Sequence, residues 1–126
     1  MDTRATILHV EDNPTLQYLV RIALEQLGGY SVLTAGSGAQ ALALAVGAAP
    51  RLLLLDLDLP DMSGLETLRA LRALPGLAKV PAVLLTAACE PRVEAELRAT
   101  GIAELLRKPF RPRQLVQAVA RVLEDG

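Results

Sequence analysis

Residues 52–55 are four consecutive leucines, and they run directly into Asp56. The run is too short for a typical helix and apolar on both faces, which is how a strand reads when helices cover both sides of a parallel sheet. The rest of the chain fits that frame. Residues 6–10 (TILHV) read as a first strand, closed by Glu11 and Asp12. Asn13 and Pro14 then suit the cap and first turn of a helix. Apolar residues at 16, 19, 20, 23, 24 and 27 carry it at helical spacing to Gly28-Gly29. Residues 30–35 (YSVLTA) read as a second strand, 36–38 as a turn with Ser37 as cap, and 39–46 as a helix of small residues. After the third strand, 51–56, the spacing predicts a helix over 65–74. Leu65, Leu68 and Leu71 share its inner side, Glu66 points away, and Pro75-Gly76 stops it. Residues 82–86 (AVLLT) read as a fourth strand, and 92–100 as a helix ended by Gly101. Residues 102–106 (IAELL) read as a fifth strand. A last helix over 112–123 has Leu115, Val116, Val119 and Val122 on its core face, and 125–126 reads as a fraying end or the start of a linker. Strand and helix alternate five times with short connections, which predicts an α/β protein with an open parallel sheet and helices on both faces.

Bulk properties narrow the function classes. A chain of 126 residues fits one domain. It is 52% hydrophobic with few aromatics, so Leu, Val, Ile and Ala must build the core. The formal net charge of -1 argues against nucleic-acid binding driven by bulk charge. Cys89 is the single cysteine, which excludes an intrachain disulfide. No apolar stretch reaches the length of a membrane helix, and the first ten residues lack a secretory signal's apolar run. The expectation is a soluble cytoplasmic protein.

The residues capable of chemistry share one position. Glu11 and Asp12 follow strand one, Asp56 ends strand three, Thr86 ends strand four and Lys108 follows strand five. Ligands of open α/β sheets bind outside the carboxyl ends of the strands. Three carboxylates gathered there repel one another unless a cation joins them. Oxygen ligands with open positions suit Mg²⁺. A hydroxyl and an ammonium nearby suit a phosphoryl group, with a carboxylate as nucleophile.

These residues stand in four pieces, VEDN (10–13), LLLLDLDLPDMSG (52–64), LLTA (84–87) and KPF (108–110). Each is weak alone; all four in order, each at a strand end, resemble the receiver domain of bacterial two-component response regulators, from residue 6 to 123. The resemblance implies a single receiver domain over 1–126 with the flavodoxin-like (βα)5 fold and strand order 2-1-3-4-5. It implies that Asp56 is the phosphoacceptor and that Glu11 and Asp12 hold Mg²⁺ (or Mn²⁺) together with Asp56 and the backbone carbonyl of Asp58. Thr86 and Lys108 match the hydroxyl and lysine that meet the phosphoryl group, and Lys108-Pro109 matches a peptide bond usually cis in the family. The implied partners are a histidine kinase or histidine phosphotransfer protein as donor. A second copy or an effector would dock on the face formed by helix four, strand five and helix five. Neither nucleic acid nor membrane is implied for this domain. Leu105 departs from the pattern, because the family usually has a Tyr or Phe there that moves inward on activation. Tyr18, Tyr30 and Phe110 lie elsewhere, so readout must come from Thr86, the loop after it and helix packing. Asp58, with its acid side chain beside the site, and the small Ala87 and Ala88 bear on dephosphorylation.

Two other functions stay open. A pseudo-receiver would bind partners without ever being phosphorylated. The Asp56-x-Asp58 pair also resembles the nucleophile and acid of haloacid-dehalogenase-type phosphatases, although those usually follow the first strand. The receiver reading makes the protein a signalling module that assists only its own phosphorylation and dephosphorylation, not a metabolic enzyme. Whether it stands alone or belongs to a longer protein is not legible. His9 lies within a strand and reads as structural, Cys89 as a plain loop thiol, and RKPFRPR (107–113) as a solvated face or protein contact.

Overall fold

The computed structural model describes residues 4–59, 61–87 and 90–125. Its strands are β1 (Thr6–Val10), β2 (Ser31–Ala35), β3 (Leu52–Asp56), β4 (Ala82–Thr86) and β5 (Glu104–Arg107). They form one parallel sheet in the order β2-β1-β3-β4-β5. The helices are α1 (Pro14–Ile22), α2 (Gly38–Ala48), α3 (Gly64–Arg72), α4 (Pro91–Arg98) and α5 (Pro112–Asp125). This is the open flavodoxin-like sheet and strand order that the sequence implies.

Alternation along the strands splits the core into two layers. Leu8, Val10, Leu53, Leu55, Leu84 and Leu105 face the layer shared with Ala41 and Ala45 of α2, Leu68 and Leu71 of α3, and Leu97 of α4. Ile7, Leu52, Leu54, Val83 and Leu85 face the other layer, shared with Val20, Ala23 and Leu24 and with Leu115, Val119 and Val122 of α5. Every residue of β3 and β4 is buried, as both-faced coverage requires. Each such leucine stabilises the fold by roughly 1.5–3 kcal/mol relative to exposure. The small residues of α2 let it sit close to its neighbours. A Cβ at Gly38 would come within 2.5 Å of Met62 Cγ and 2.7 Å of Thr67 Oγ1.

Two elements differ from expectation. The helix expected over 14–27 is α-helical only to Ile22, and a π-helical turn, Ala23–Leu27, comes next, with the Gly28 amide donating to the Ala23 carbonyl at 3.3 Å. The wider turn shifts the residues after Ile22 out of α-helical register. Leu27 is 65% exposed, and Leu19, at the margin of the apolar stripe, is 53% exposed. The fifth strand begins at Glu104, not 102, because the chain is still leaving the turn at Gly101 (φ +83). Arg107 thereby pairs with Thr86, and the Lys108 amide donates to the Thr86 carbonyl at 2.7 Å. The other boundaries move by a residue or two at the ends, as helix and strand ends commonly do.

Candidate functional site

The end of β1 turns Glu11 inward. Its backbone N–H donates to the Ala35 carbonyl at 2.9 Å, and Gln17 of α1 donates its side-chain amide to the Glu11 carbonyl. The Glu11 carboxylate accepts from the Asn13 amide at 3.2 Å. Asn13 in turn caps α1, its Oδ1 accepting from Thr15 at 2.9 Å and Leu16 at 3.1 Å. Glu11 is left 1% exposed while Asp12, next in the chain, is exposed.

Asp56, at the end of β3, is also buried. The Asp58 amide donates to its Oδ1 at 3.3 Å, and the Gly64 amide donates to the Leu57 carbonyl at 2.8 Å, which closes the loop onto α3. Only glycine fits at 64: a Cβ there would lie 2.5 Å from the Asp56 carbonyl oxygen and 2.8 Å from Leu57 Cα. α3 starts with a capping box, Ser63 accepting from Glu66 N at 3.1 Å and Glu66 reaching back to Ser63 N at 3.4 Å.

Lys108 reaches across from the end of β5. Its Nζ is 3.1 Å from Asp56 Oδ1 and 3.6 Å from Glu11 Oε1. One oxygen each from Glu11, Asp12 and Asp56 lie within 4.8 Å of one another. The structure thus brings Glu11, Asp12, Asp56 and Lys108 into one cluster. Thr86 stands at the neighbouring strand end, buried, with its hydroxyl donating to the Ala87 carbonyl at 3.0 Å. The side chain of Asp58 is exposed, and the Lys108–Pro109 peptide is cis. Leu105 is not in the cluster; it is buried in the layer with α2, α3 and α4, opposite Leu84. Cys89 and Ala88 lie outside the described residues.

The cluster has more negative than positive charge. Burial pushes the Glu11 carboxyl up to about 7, opposed by its bond from the Asn13 amide and by Lys108 and reinforced by the Asp56 charge beside it. Glu11 Oε1 is buried without a hydrogen-bond partner among the described residues. Three carboxylates, one of them holding an unused oxygen, with nothing but oxygen donors, fit a hard divalent cation.

Two contributors, Gln17 and Asp61, are not evident in the sequence. Gln17 holds the Glu11 backbone, but nothing separates it from any polar residue on a helix. Asp61 accepts from the Gly38 and Ala39 amides, each at 2.9 Å. The only hint of that bond is an acid in a turn. His9 lies fully buried on β1, neither ring nitrogen has a hydrogen-bond partner among the described residues, and its pKa is lowered to about 3 by burial and then by Lys108 and Arg21.

An open parallel sheet with acids after β1 and β3 and a lysine after β5 places the protein among two-component signalling domains. The chain belongs to the response regulator receiver domain family, which it matches over residues 7–120. It is 36% identical over 118 residues to the phosphate regulon transcriptional regulatory protein PhoB of Pseudomonas aeruginosa, a match spanning 94% of this chain and 51% of that protein. It is 39% identical over 120 residues to the DNA-binding response regulator MtrA of Mycolicibacterium smegmatis, again 94% of this chain and 51% of the relative. The chain therefore spans about half the length of these curated relatives. Among solved structures, the Vibrio cholerae chemotaxis protein CheY4 superposes with a TM-score of 0.89 at 33% identity, covering 96% of this chain and all of that one. The receiver domain of a signal transduction histidine kinase from Syntrophus aciditrophicus gives 0.85 at 30% identity, covering 96% and 91%. Among the described residues no helix is long and apolar enough to cross a membrane.

Proposed function

We propose that this receiver domain takes a phosphoryl group from a phosphohistidine donor onto Asp56 and thereby changes the partner it binds. The observation that carries the reading is the convergence on Asp56: Lys108 Nζ is 3.1 Å away, and Glu11 and Asp12 each bring an oxygen to the same place. A carboxylate oxygen of Asp56 attacks phosphorus, the P–N bond of the donor breaks, and the leaving imidazole takes up a proton. The product is an acyl phosphate. Lys108, ion-paired with the Asp56 carboxylate beforehand, re-forms that ion pair with a phosphoryl oxygen. The Thr86 hydroxyl exchanges the Ala87 carbonyl for another phosphoryl oxygen. Glu11, Asp12, Asp56 and the Asp58 backbone carbonyl would hold Mg²⁺ (or Mn²⁺), which supplies positive charge against the carboxylates and the phosphoryl oxygens.

The donor is a histidine kinase or histidine phosphotransfer protein, and we assign it to the α1 side of the site. Tyr18, Leu19 and Ile22 are exposed there. An apolar groove of about 330 Å³ lined by Leu16, Leu19, Phe110, Pro112 and Leu115 runs up to Lys108 itself. The α4–β5–α5 face is crossed by ion pairs, Glu94 with Arg107 and Arg98, and Glu104 with Arg121. We assign that face to the switched partner, a second copy or an effector. Residues 1–126 act as one receiver unit in the cytoplasm. The protein is not a metabolic enzyme, and DNA recognition, where relatives carry it in their names, is not assigned to this unit.

The test is incubation with acetyl phosphate and Mg²⁺, followed by mass analysis. Wild type is expected to gain one acid-stable, base-labile phosphoryl group on Asp56, and Asp56→Asn none. An unlabelled wild type that also ignores beryllofluoride would favour the pseudo-receiver, and steady turnover of small phosphate esters the phosphatase.

A further inference from the structure

The segment between Asp56 and α3 is fastened at both ends, by the Asp58 amide on Asp56 Oδ1 and by the Gly64 amide on the Leu57 carbonyl. Among the described residues, one side chain fastens its middle. Asp61 reaches over to the first turn of α2 and takes the Gly38 amide on Oδ1 and the Ala39 amide on Oδ2, both at 2.9 Å. Those amides are distinct from the one that α2's own cap satisfies, since Ser37 Oγ accepts from Gln40 at 3.1 Å. The contact beneath is tight, because Gly38 leaves no room for a Cβ beside Met62 and Thr67. Charged acceptors make bonds to amides roughly twice as strong as neutral ones. A carboxylate at the start of a helix also meets the positive end of the helix dipole. Both bonds keep the Asp61 carboxyl below the usual range, the Ala39 amide contributing most.

We infer that Asp61, which is no part of the acidic cluster, is a positioning residue for it: by tying the segment after Asp56 to α2, it holds the Asp58 backbone where the cation must find a carbonyl. The inference rests on the reading of Asp56 and the cluster as a metal-dependent phosphoryl site. The location of the tether supports it. Asp61 is three residues from Asp58 in sequence, and α2 is anchored to the sheet through the fully buried Ala41 and Ala45. Without the tether, the segment would keep the bonds at Asp58 and Leu57 but lose its hold on α2 at residue 61, and with it the restraint on the chain that follows the carbonyl.

Mg²⁺ affinity is measured by calorimetric titration, and the Mg²⁺ dependence of acetyl phosphate labelling is followed alongside. Partners that orient metal ligands from outside the coordination sphere are typically worth about 10–100-fold in affinity. Asp61→Ala is expected to weaken Mg²⁺ binding by about tenfold, with full labelling restored at saturating Mg²⁺. Asp61→Asn, which keeps one acceptor, should fall between. Ser37→Ala frays the same helix turn without releasing the segment, and should leave Mg²⁺ affinity unchanged. Asp61→Ala binding Mg²⁺ like wild type would overturn the inference alone, as would a Ser37→Ala shift equal to that of Asp61→Ala. A wild type that neither binds Mg²⁺ nor labels would overturn the phosphoryl reading and this inference with it.

Discussion

At Gly64 the backbone leaves space for a hydrogen and nothing larger, and the atoms that exclude a methyl are the carbonyl of Asp56 and the Cα of Leu57. Main-chain atoms cannot swing aside as a side chain would. Gly64→Ala should therefore destabilise the protein by about 1–3 kcal/mol, as overpacking does, and displace Asp56 from Lys108. Urea unfolding measures the first effect and beryllofluoride binding the second. At this scale the sequence was legible where a residue's placement is set by its own position at a strand end, as for Glu11, Asp12, Asp56 and Lys108, which the fold gathers into one cluster. It was not legible where a role depends on a partner brought close only by folding. Asp61 reads as a turn acid until α2, more than twenty residues upstream, packs beside it. Gln17 is likewise silent until α1 lies along the end of β1.

Among the elements, α1 carries an unusual share of exposed apolar surface. Tyr18, Leu19 and Ile22 are exposed on it, and Leu27 on the π-helical turn beyond. If the phosphohistidine donor covers this face, the double variant Tyr18→Ser, Leu19→Ser should slow transfer from the donor by about tenfold or more, the usual scale for losing central apolar anchors. Phosphorylation by acetyl phosphate, which needs no docking surface, should be unchanged. Equal slowing with both donors would sink the assignment. The same element shows why periodicity misled. Residues 20, 23 and 24, with the partly buried Leu16, mark the inward stripe, and leucines at 19 and 27 extend the pattern without joining it. Apolar spacing cannot tell a residue facing the sheet from one facing a partner. Nor could it reveal the π-helical turn at Ala23–Leu27. The order and number of elements were legible because five apolar strand runs alternate with amphipathic segments, a pattern that admits few topologies.

Over the whole molecule, two buried groups give the metal-free protein opposing responses to pH. His9 has a folded pKa of about 3 against an ordinary 6.5. The unfolded chain binds the extra proton, so this contribution is complete above 6.5 and is lost as pH falls toward 3. Glu11 runs the other way, with a folded value of about 7 against 4.5. Its contribution is complete below 4.5 and is lost as pH rises through 7. Between 4.5 and 6.5 the two slopes, each at most about 1.4 kcal/mol per pH unit, oppose each other, and unfolding free energy should be nearly flat with respect to these groups. His9→Leu removes one arm. It should stabilise the protein by about 1 kcal/mol at neutral pH by replacing two unpartnered ring nitrogens, and stability should then rise on acidification from 7 to 4.5. Denaturant titrations of both proteins across that interval check the slopes, and parallel curves would show that His9 is not the opposing group.

The strand order has a temporal consequence. The acids of the cluster are made with β1 and β3, while Lys108 emerges only after β5, the last strand of the sheet. Chains grow at about 5–20 residues per second, so for some seconds a nascent chain holds Asp56 and its acidic neighbours with no ammonium to face them. Domains generally fold as units, so the acids stay solvated until β5 joins the sheet and brings Lys108 to Asp56.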